Sequence, residues 1–205
     1  MTDAKAHWEN VYATKGEAEV SWFQETPDIS LDLIAATGVA KDAAIIDVGG
    51  GASRLVDALL ARDFSNLTVL DISQAALDAA RARIGAAARR VAWIAADATQ
   101  WEPTAQYDVW HDRAAFHFLT EPDQQRAYLD RLRRALVPGG HLIIGTFAPD
   151  GPERCSGLPV QRHDGTSLGR LLGEEFALVE GRRHDHTTPW GSTQHFQFSR
   201  FRRRS

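Results

Sequence analysis

The sequence predicts an α/β domain, with a mostly parallel sheet covered by helices on both faces. Three observations carry that expectation. From Lys41 to Phe147, short apolar runs alternate with longer amphipathic ones, which is the pattern of strand–helix units that build parallel sheets. The runs "AAIIDV", "LTVLD" and "HLIIGTF" are almost continuously apolar, as strands buried on both faces must be. The first run ends in "IIDVGGGASRL", three glycines in a row, where a tight strand-to-helix turn faces a ligand.

Each element has its own signal. After "AAIIDV", Leu55, Ala58 and Leu59 fall at i, i+3, i+4, so a helix is expected over 52–63. "LTVLD" is the second strand. Ser73 is suited to cap the helix "SQAALDAARARI", because its hydroxyl can accept from a free first-turn amide. "VAWIAAD" and "YDVWHD" are the third and fourth strands. Tyr128, Leu132, Ala135 and Leu136 then share a helical face, and Pro138-Gly139-Gly140 is expected to end that helix. "HLIIGTF" is the fifth strand. "FALVEGRRHDH" and "QHFQFSRF" are β-like runs separated by "TTPWGST", a linker with room for a turn but not a helix, so they should pair antiparallel. Residues 148–166, rich in proline and glycine, read as a lid loop over the substrate. Residues 1–40 read as an N-terminal cover, with a helix starting at Asp28 or Ser30. Residues 1–205 read as a single domain.

Composition narrows the partners. The 205 residues are 43% hydrophobic and 24% charged, with net charge −4. A mildly acidic surface is a poor match for the nucleic-acid backbone, and the basic end "RFRRRS" reads as solvated chain. No apolar run approaches the roughly 20 residues that span a bilayer, and no secretory leader pattern is visible. The one cysteine, Cys155, has no internal partner. The simplest reading is a soluble cytoplasmic protein, monomer or homodimer, with no nucleic-acid or membrane partner. His184 and His186 share a strand face, but His163, His195 and Cys155 are too scattered to complete a metal site, so no metal is expected.

Four acids mark strand ends: Asp47, Asp71, Asp97 and Asp112. Asp71, Asp97 or Asp112 alone reads equally well as a cap for the next turn, and Asp112 in particular as a partner for its own backbone amides. Together they converge beyond the carboxyl edge of the sheet, where such folds bind ligands. A dinucleotide fingerprint starting at Gly49 and Gly51 would need its third glycine where Arg54 stands. Asp47 would also repel a pyrophosphate. D-x-G-x-G, matched by Asp47, Gly49 and Gly51, suits a phosphate-free nucleoside carrying positive charge. Asp47 receives the ammonium, Asp71 the ribose hydroxyls and Asp97 the exocyclic amine of adenine. Adenosine with a cationic amino-acid tail describes S-adenosylmethionine.

On "DVGGGAS", "LTVLDIS", "AADAT", "YDVWHDR", "LVPGGHLII" and the closing hairpin, the chain resembles the class I S-adenosylmethionine-dependent methyltransferases. The resemblance implies a three-layer Rossmann-like sandwich with a seven-stranded, mostly parallel sheet, an antiparallel C-terminal strand and the order 3-2-1-4-5-7-6. It also implies that Ile72 and Ala98 flank the cofactor beside Asp71 and Asp97. "W…VY…SWFQE" and "HDRAAFHFL" resemble compact members of thiopurine-methyltransferase and small lysine-methyltransferase type. By that likeness Trp22 or Phe23 touches the cofactor, and His111 or Asp112 borders methyl transfer as the catalytic group. S-adenosylhomocysteine is then the product and a small molecule the methyl acceptor. A protein lysine methyltransferase is the rival within the class. A nicotinamide-dependent oxidoreductase or a non-catalytic nucleotide-binding module is the rival outside it. His117, His184 and His186 are further base candidates, and Arg154, Arg162 and Arg170 candidate holders of a substrate anion, though solvated roles suit each.

Overall fold

Alternation of side chains along the strands builds two cores, one on each face of the sheet. The computed structural model describes residues 2–205. After helices α1 (Thr2–Thr14) and α2 (Asp28–Ala35) come β1 (Ala44–Val48), α3 (Leu55–Leu60), β2 (Asn66–Asp71), α4 (Gln74–Ile84) and β3 (Val91–Ala95). Then follow β4 (Tyr107–Arg113), α5 (Pro122–Ala135) and β5 (Leu136–Phe147). Ile45, Val69, Val109 and Ile143 point to one face and pack with α2 and α3. Ile46, Leu70, Trp110 and Ile144 point to the other and pack with α5, as the two-residue period of a strand requires.

A two-residue hairpin, β6 (Arg154–Cys155) and β7 (Leu158–Pro159), interrupts the loop after β5. Helix α6 (Gly165–Leu172) follows, then the long strands β8 (Phe176–Thr187) and β9 (Thr193–Arg203). The large sheet runs β3-β2-β1-β4-β5-β9-β8, which is the expected 3-2-1-4-5-7-6 once the small hairpin is set aside. β1, β2, β3, β4 and β5 pair in parallel, while β9 runs antiparallel to β5 and to β8. Among the described residues no helix is long and apolar enough to cross a membrane.

Three local expectations change. The first crossover helix is shorter than 52–63, because Gly49 and Gly51 hold left-handed backbone and the chain straightens into α3 only at Leu55. Helix α5 ends at Ala135, before Pro138, because β5 already begins at Leu136 and pairs with Tyr107. The N-terminal segment contains a second helix, α1, that the sequence reading left undivided. Ser73 caps α4 as expected, its Oγ accepting from Ala76 N at 3.2 Å.

Candidate active site

The three glycines after β1 are required by contacts on three sides. Gly49 and Gly51 have φ of +69° and +44°, where a side chain is strained. A Cβ on Gly49 would stand 2.4 Å from the Ala115 Cβ. On Gly51 it would stand 2.9 Å from Asp71 Oδ2. Gly50 has ordinary backbone, yet a Cβ there would lie 2.6 Å from Asp47 Oδ2 and 2.8 Å from Val69 Cγ1. The middle glycine, which the motif leaves unexplained, clears the space that Asp47 occupies beneath the loop.

Beyond this loop lies a cavity of about 350 Å³, in the size range of small-molecule sites. Val48, Gly49, Leu70, Asp71 and Ile72 form one wall, and Asp97, Ala98 and Thr99 the next. Arg113, Ala115 and Phe118 close the far end, while Trp8, Tyr12 and Trp22 face them from the N-terminal segment. Cys155 and Leu158 reach in from the β6–β7 hairpin. The aromatic rings support one another edge to face: Trp8 lies 5.0 Å from Phe118 and 5.7 Å from Trp22 between ring centres.

A carboxylate on α1 ties it to the start of α4. Glu9 accepts from Gln74 N at 2.8 Å, Ala75 N at 3.1 Å and Ser73 Oγ at 3.1 Å. These are the free amides at the start of α4, a position that favours negative charge. Burial opposes the charge, but the amide bonds hold Glu9 below the usual carboxylate range.

The four strand-end acids divide in two. Asp71 and Asp97 line the cavity. Burial pushes Asp71 up to about 7, with the Asp47 and Glu9 charges adding and the amides of Ser73 and Gly51 opposing. Asp97 folds back on its own turn: Oδ1 accepts from Thr99 N at 2.8 Å and Thr99 Oγ1 at 2.7 Å. Its Oδ2 accepts from Gln100 Nε2 at 3.1 Å.

Asp47 and Asp112 lie outside the cavity lining. Asp47 and His111 are register partners on adjacent parallel strands and so share a face. Nδ1 of His111 donates to Asp47 Oδ1 at 2.7 Å, and its Nε2 meets Ser30 Oγ of α2 at 2.9 Å. All three are buried. Since a carboxylate only accepts, Nδ1 carries the proton, and Nε2 is left to accept from the serine hydroxyl. Asp112 is fully buried. It accepts from Tyr128 O–H at 2.5 Å and from the amides of Ala115 at 3.0 Å and Phe116 at 3.1 Å. Burial pushes it up to about 6, against those hydrogen bonds.

A methyltransferase-domain family model matches residues 46–142. Nodulation protein S of Rhizobium tropici is 29% identical over 101 residues, 49% of this chain and 42% of that protein. Malonyl-[acyl-carrier protein] O-methyltransferase of Paenibacillus sp. (strain JDR-2) is 27% identical over 118 residues, 55% of this chain and 42% of that protein. The chain thus spans less than half the length of these curated relatives. Residues 46–142 of this chain are thus similar to a methyltransferase domain.

The fold agrees across the whole chain. The Burkholderia thailandensis 1,6-didemethyltoxoflavin-N1-methyltransferase, crystallised with 1,6-didemethyltoxoflavin and S-adenosylhomocysteine, superposes with a TM-score of 0.77 at 22% identity. That match covers 100% of this chain and 88% of the other.

The residues at hand fit the methyltransferase cofactor. A buried acceptor, Asp71, borders the cavity, and glycine backbone at Gly49 forms the wall beside it. Ile72, Asp97, Ala98 and Trp22, all expected to touch the cofactor, also line the cavity. Gly51 stands behind, against Asp71 Oδ2.

Four expectations need correction. Phe23 does not line the cavity: it lies under the Arg54 guanidinium, 5.2 Å from ring centre to charge, on the wall of the neighbouring cleft, whereas Trp22 borders both. His111 does not border the cavity, since both ring nitrogens are engaged by Asp47 and Ser30. Asp112 does not either, because the β4 turn wraps its amides around that carboxylate. Asp47 sits below the glycine loop, engaged by His111.

Sequence reading passed over Trp8, Tyr12, Phe118 and Arg113, all on the cavity wall. A signal for the first two existed: Trp8 and Tyr12 are four apart and so share one face of α1. Of the other base candidates, His117 is buried and its Nδ1 faces Phe147 N at 3.4 Å. His186 donates from Nε2 to Ser21 O at 2.7 Å.

Proposed function

We propose that this protein transfers a methyl group from S-adenosylmethionine to a small-molecule acceptor seated between the carboxyl edge of the sheet and helix α1. The observation that carries the reading is the position of one aromatic-walled cavity, bounded by Gly49, Asp71 and Asp97 on one side and by Trp8, Tyr12 and Phe118 on the other. When bound, the cofactor supplies a methyl carbon activated by the attached sulfonium. The chain's own part is orientation and exclusion of water. Asp71 accepts from the ribose hydroxyls. Asp97 accepts from the adenine amine with the lone pairs that Thr99 and Gln100 leave open. Asp47 contributes charge from beneath the glycine loop, where His111 holds it. Residues 148–166 act as the lid, with Cys155 and Leu158 as their contacts to the cavity.

His111 and Asp112 have bonds that hold the site's scaffold, so neither is given a proton-transfer step. The acceptor atom therefore arrives ready to attack. Aromatic closure over the cavity favours a small acceptor over a protein lysine. A cytoplasmic setting belongs to the same proposal, supported by the single cysteine and the net charge of −4. The test is a screen of methyl acceptors with radiolabelled cofactor, against metabolite pools and denatured lysate. Label in the small-molecule fraction supports the proposal. Label confined to protein supports the lysine-methyltransferase reading instead.

A further inference from the structure

Arg113, the last residue of β4, sits on the cavity wall and also on the wall of a small cleft under the glycine loop. Its Nη2 donates to Trp22 O at 2.6 Å, which ties it to the N-terminal segment. The guanidinium stands 5.8 Å from the centre of the Phe196 ring. A guanidinium has five donors in a planar fork. Among the described residues no carboxylate pairs with this one, and Trp22 O is its one hydrogen-bond acceptor. The acid acting most strongly on it is Asp47, which is already engaged by His111. Burial lowers Arg113 to about 10, so it remains a cation at neutral pH. A largely desolvated charge without an opposite charge is costly unless a ligand supplies one. Two of the three arginines that the sequence made candidates for this task are engaged elsewhere. Arg154 donates to Gly157 O, and Arg162 to Gly151 O and Glu153.

We propose that Arg113 is the anion-receiving group of this cavity, placed to take a carboxylate from the bound ligand through its planar fork. A carboxylate matches that fork with two parallel hydrogen bonds, which a single point charge cannot supply. The aromatic rings of Trp8, Tyr12 and Trp22 beside it suit an apolar body on the same ligand. Two sources can present such a group: the amino-acid end of the cofactor, or a carboxylate on the acceptor. The inference rests on the methyltransferase reading, and the test separates the two.

The experiment titrates wild type, Arg113→Met and Arg113→Lys with S-adenosylhomocysteine and with 5′-methylthioadenosine, which lacks the amino-acid end. The same proteins, saturated with S-adenosylhomocysteine, are then titrated with benzoate and with uncharged benzamide. Melting temperatures establish that each variant is folded. Arg113→Met should lose roughly tenfold or more in affinity for one carboxylate ligand and not for its uncharged counterpart. Arg113→Lys should lose part of it, and it serves the test alone if Arg113→Met does not fold. Loss on S-adenosylhomocysteine but not on methylthioadenosine assigns the carboxylate to the cofactor. Loss on benzoate but not on benzamide assigns it to the acceptor. Equal loss on charged and uncharged ligands overturns the inference in favour of a packing role, and so does no loss on any of them. Failure of wild type to bind S-adenosylhomocysteine contradicts the methyltransferase reading itself.

Discussion

β2 and β4 each carry an aspartate at or next to their last residue and use it in opposite ways. Asp71 ends β2, Asp112 stands one residue before the end of β4, and burial pushes the protonation of both upward. At β4, Asp112 is enclosed. Tyr128 and the amides of Ala115 and Phe116 supply its hydrogen bonds, and Tyr128 in turn accepts from Trp110 Nε1 at 2.8 Å. At β2, Asp71 has a donor from Ser73 N at 2.8 Å and faces the cavity. At β4 the following turn closes two amides on the carboxylate, whereas at β2 the chain runs on into α4 and the following turn gives one, from Ser73. Glycine in the loop matters here, because a side chain at Gly51 would stand 2.9 Å from Asp71 Oδ2 and crowd it.

Substitutions at the two acids should therefore separate stability from binding. The largest effect is expected from Asp112→Ala, which strands the Tyr128 hydroxyl and two backbone amides inside the protein. It should lower unfolding free energy by about 3–5 kcal/mol in urea titration. An unchanged midpoint would remove the structural role from β4. Next, Asp71→Asn should weaken S-adenosylhomocysteine by about 1–3 kcal/mol in calorimetry, with the melting temperature of the ligand-free protein maintained or raised. If stability falls instead while affinity holds, the two acids have been assigned the wrong way round.

The third prediction follows from the raised value of Asp71, about 7. A carboxyl raised above its unfolded value contributes stability that is fully present at acid pH and is lost as pH rises through about 7. Ligand binding has the opposite sign, since ribose hydroxyls donate to the ionised form. Affinity for S-adenosylhomocysteine should thus fall as pH is lowered from 8 to 6, and Asp71→Asn should flatten that slope. A slope that survives in the variant points to another group. The smallest effect belongs to Glu9→Gln, which weakens the bonds at the start of α4. It should cost about 0.5–1 kcal/mol, read as a lower melting temperature that high salt partly masks in wild type.

The same comparison explains what was legible beforehand. Strand order, the glycine loop and the strand-end acids are encoded locally, by apolar runs and turn chemistry within short windows. Asp71 and Asp97 were therefore legible from pattern, and Ile72 and Ala98 from the family resemblance. The fate of Asp112 was open, because only the folded turn shows its amides closing on the carboxylate. Asp47 and His111 lie 64 positions apart, and His111 and Ser30 lie 81 apart. No local period carries such a link. Phe23 failed for a related reason: a sequence places two adjacent aromatics in one turn but does not show which of them reaches the cavity. Gly50 gained its explanation only from the side chains packed around it.

The account rests most directly on the chemistry of the ligand that Asp71 and the glycine loop receive. Calorimetric titration of the wild-type protein with S-adenosylhomocysteine and, separately, with NAD tests it. The account predicts saturable binding of S-adenosylhomocysteine at one site per chain and none of NAD. Binding of NAD without S-adenosylhomocysteine would contradict it.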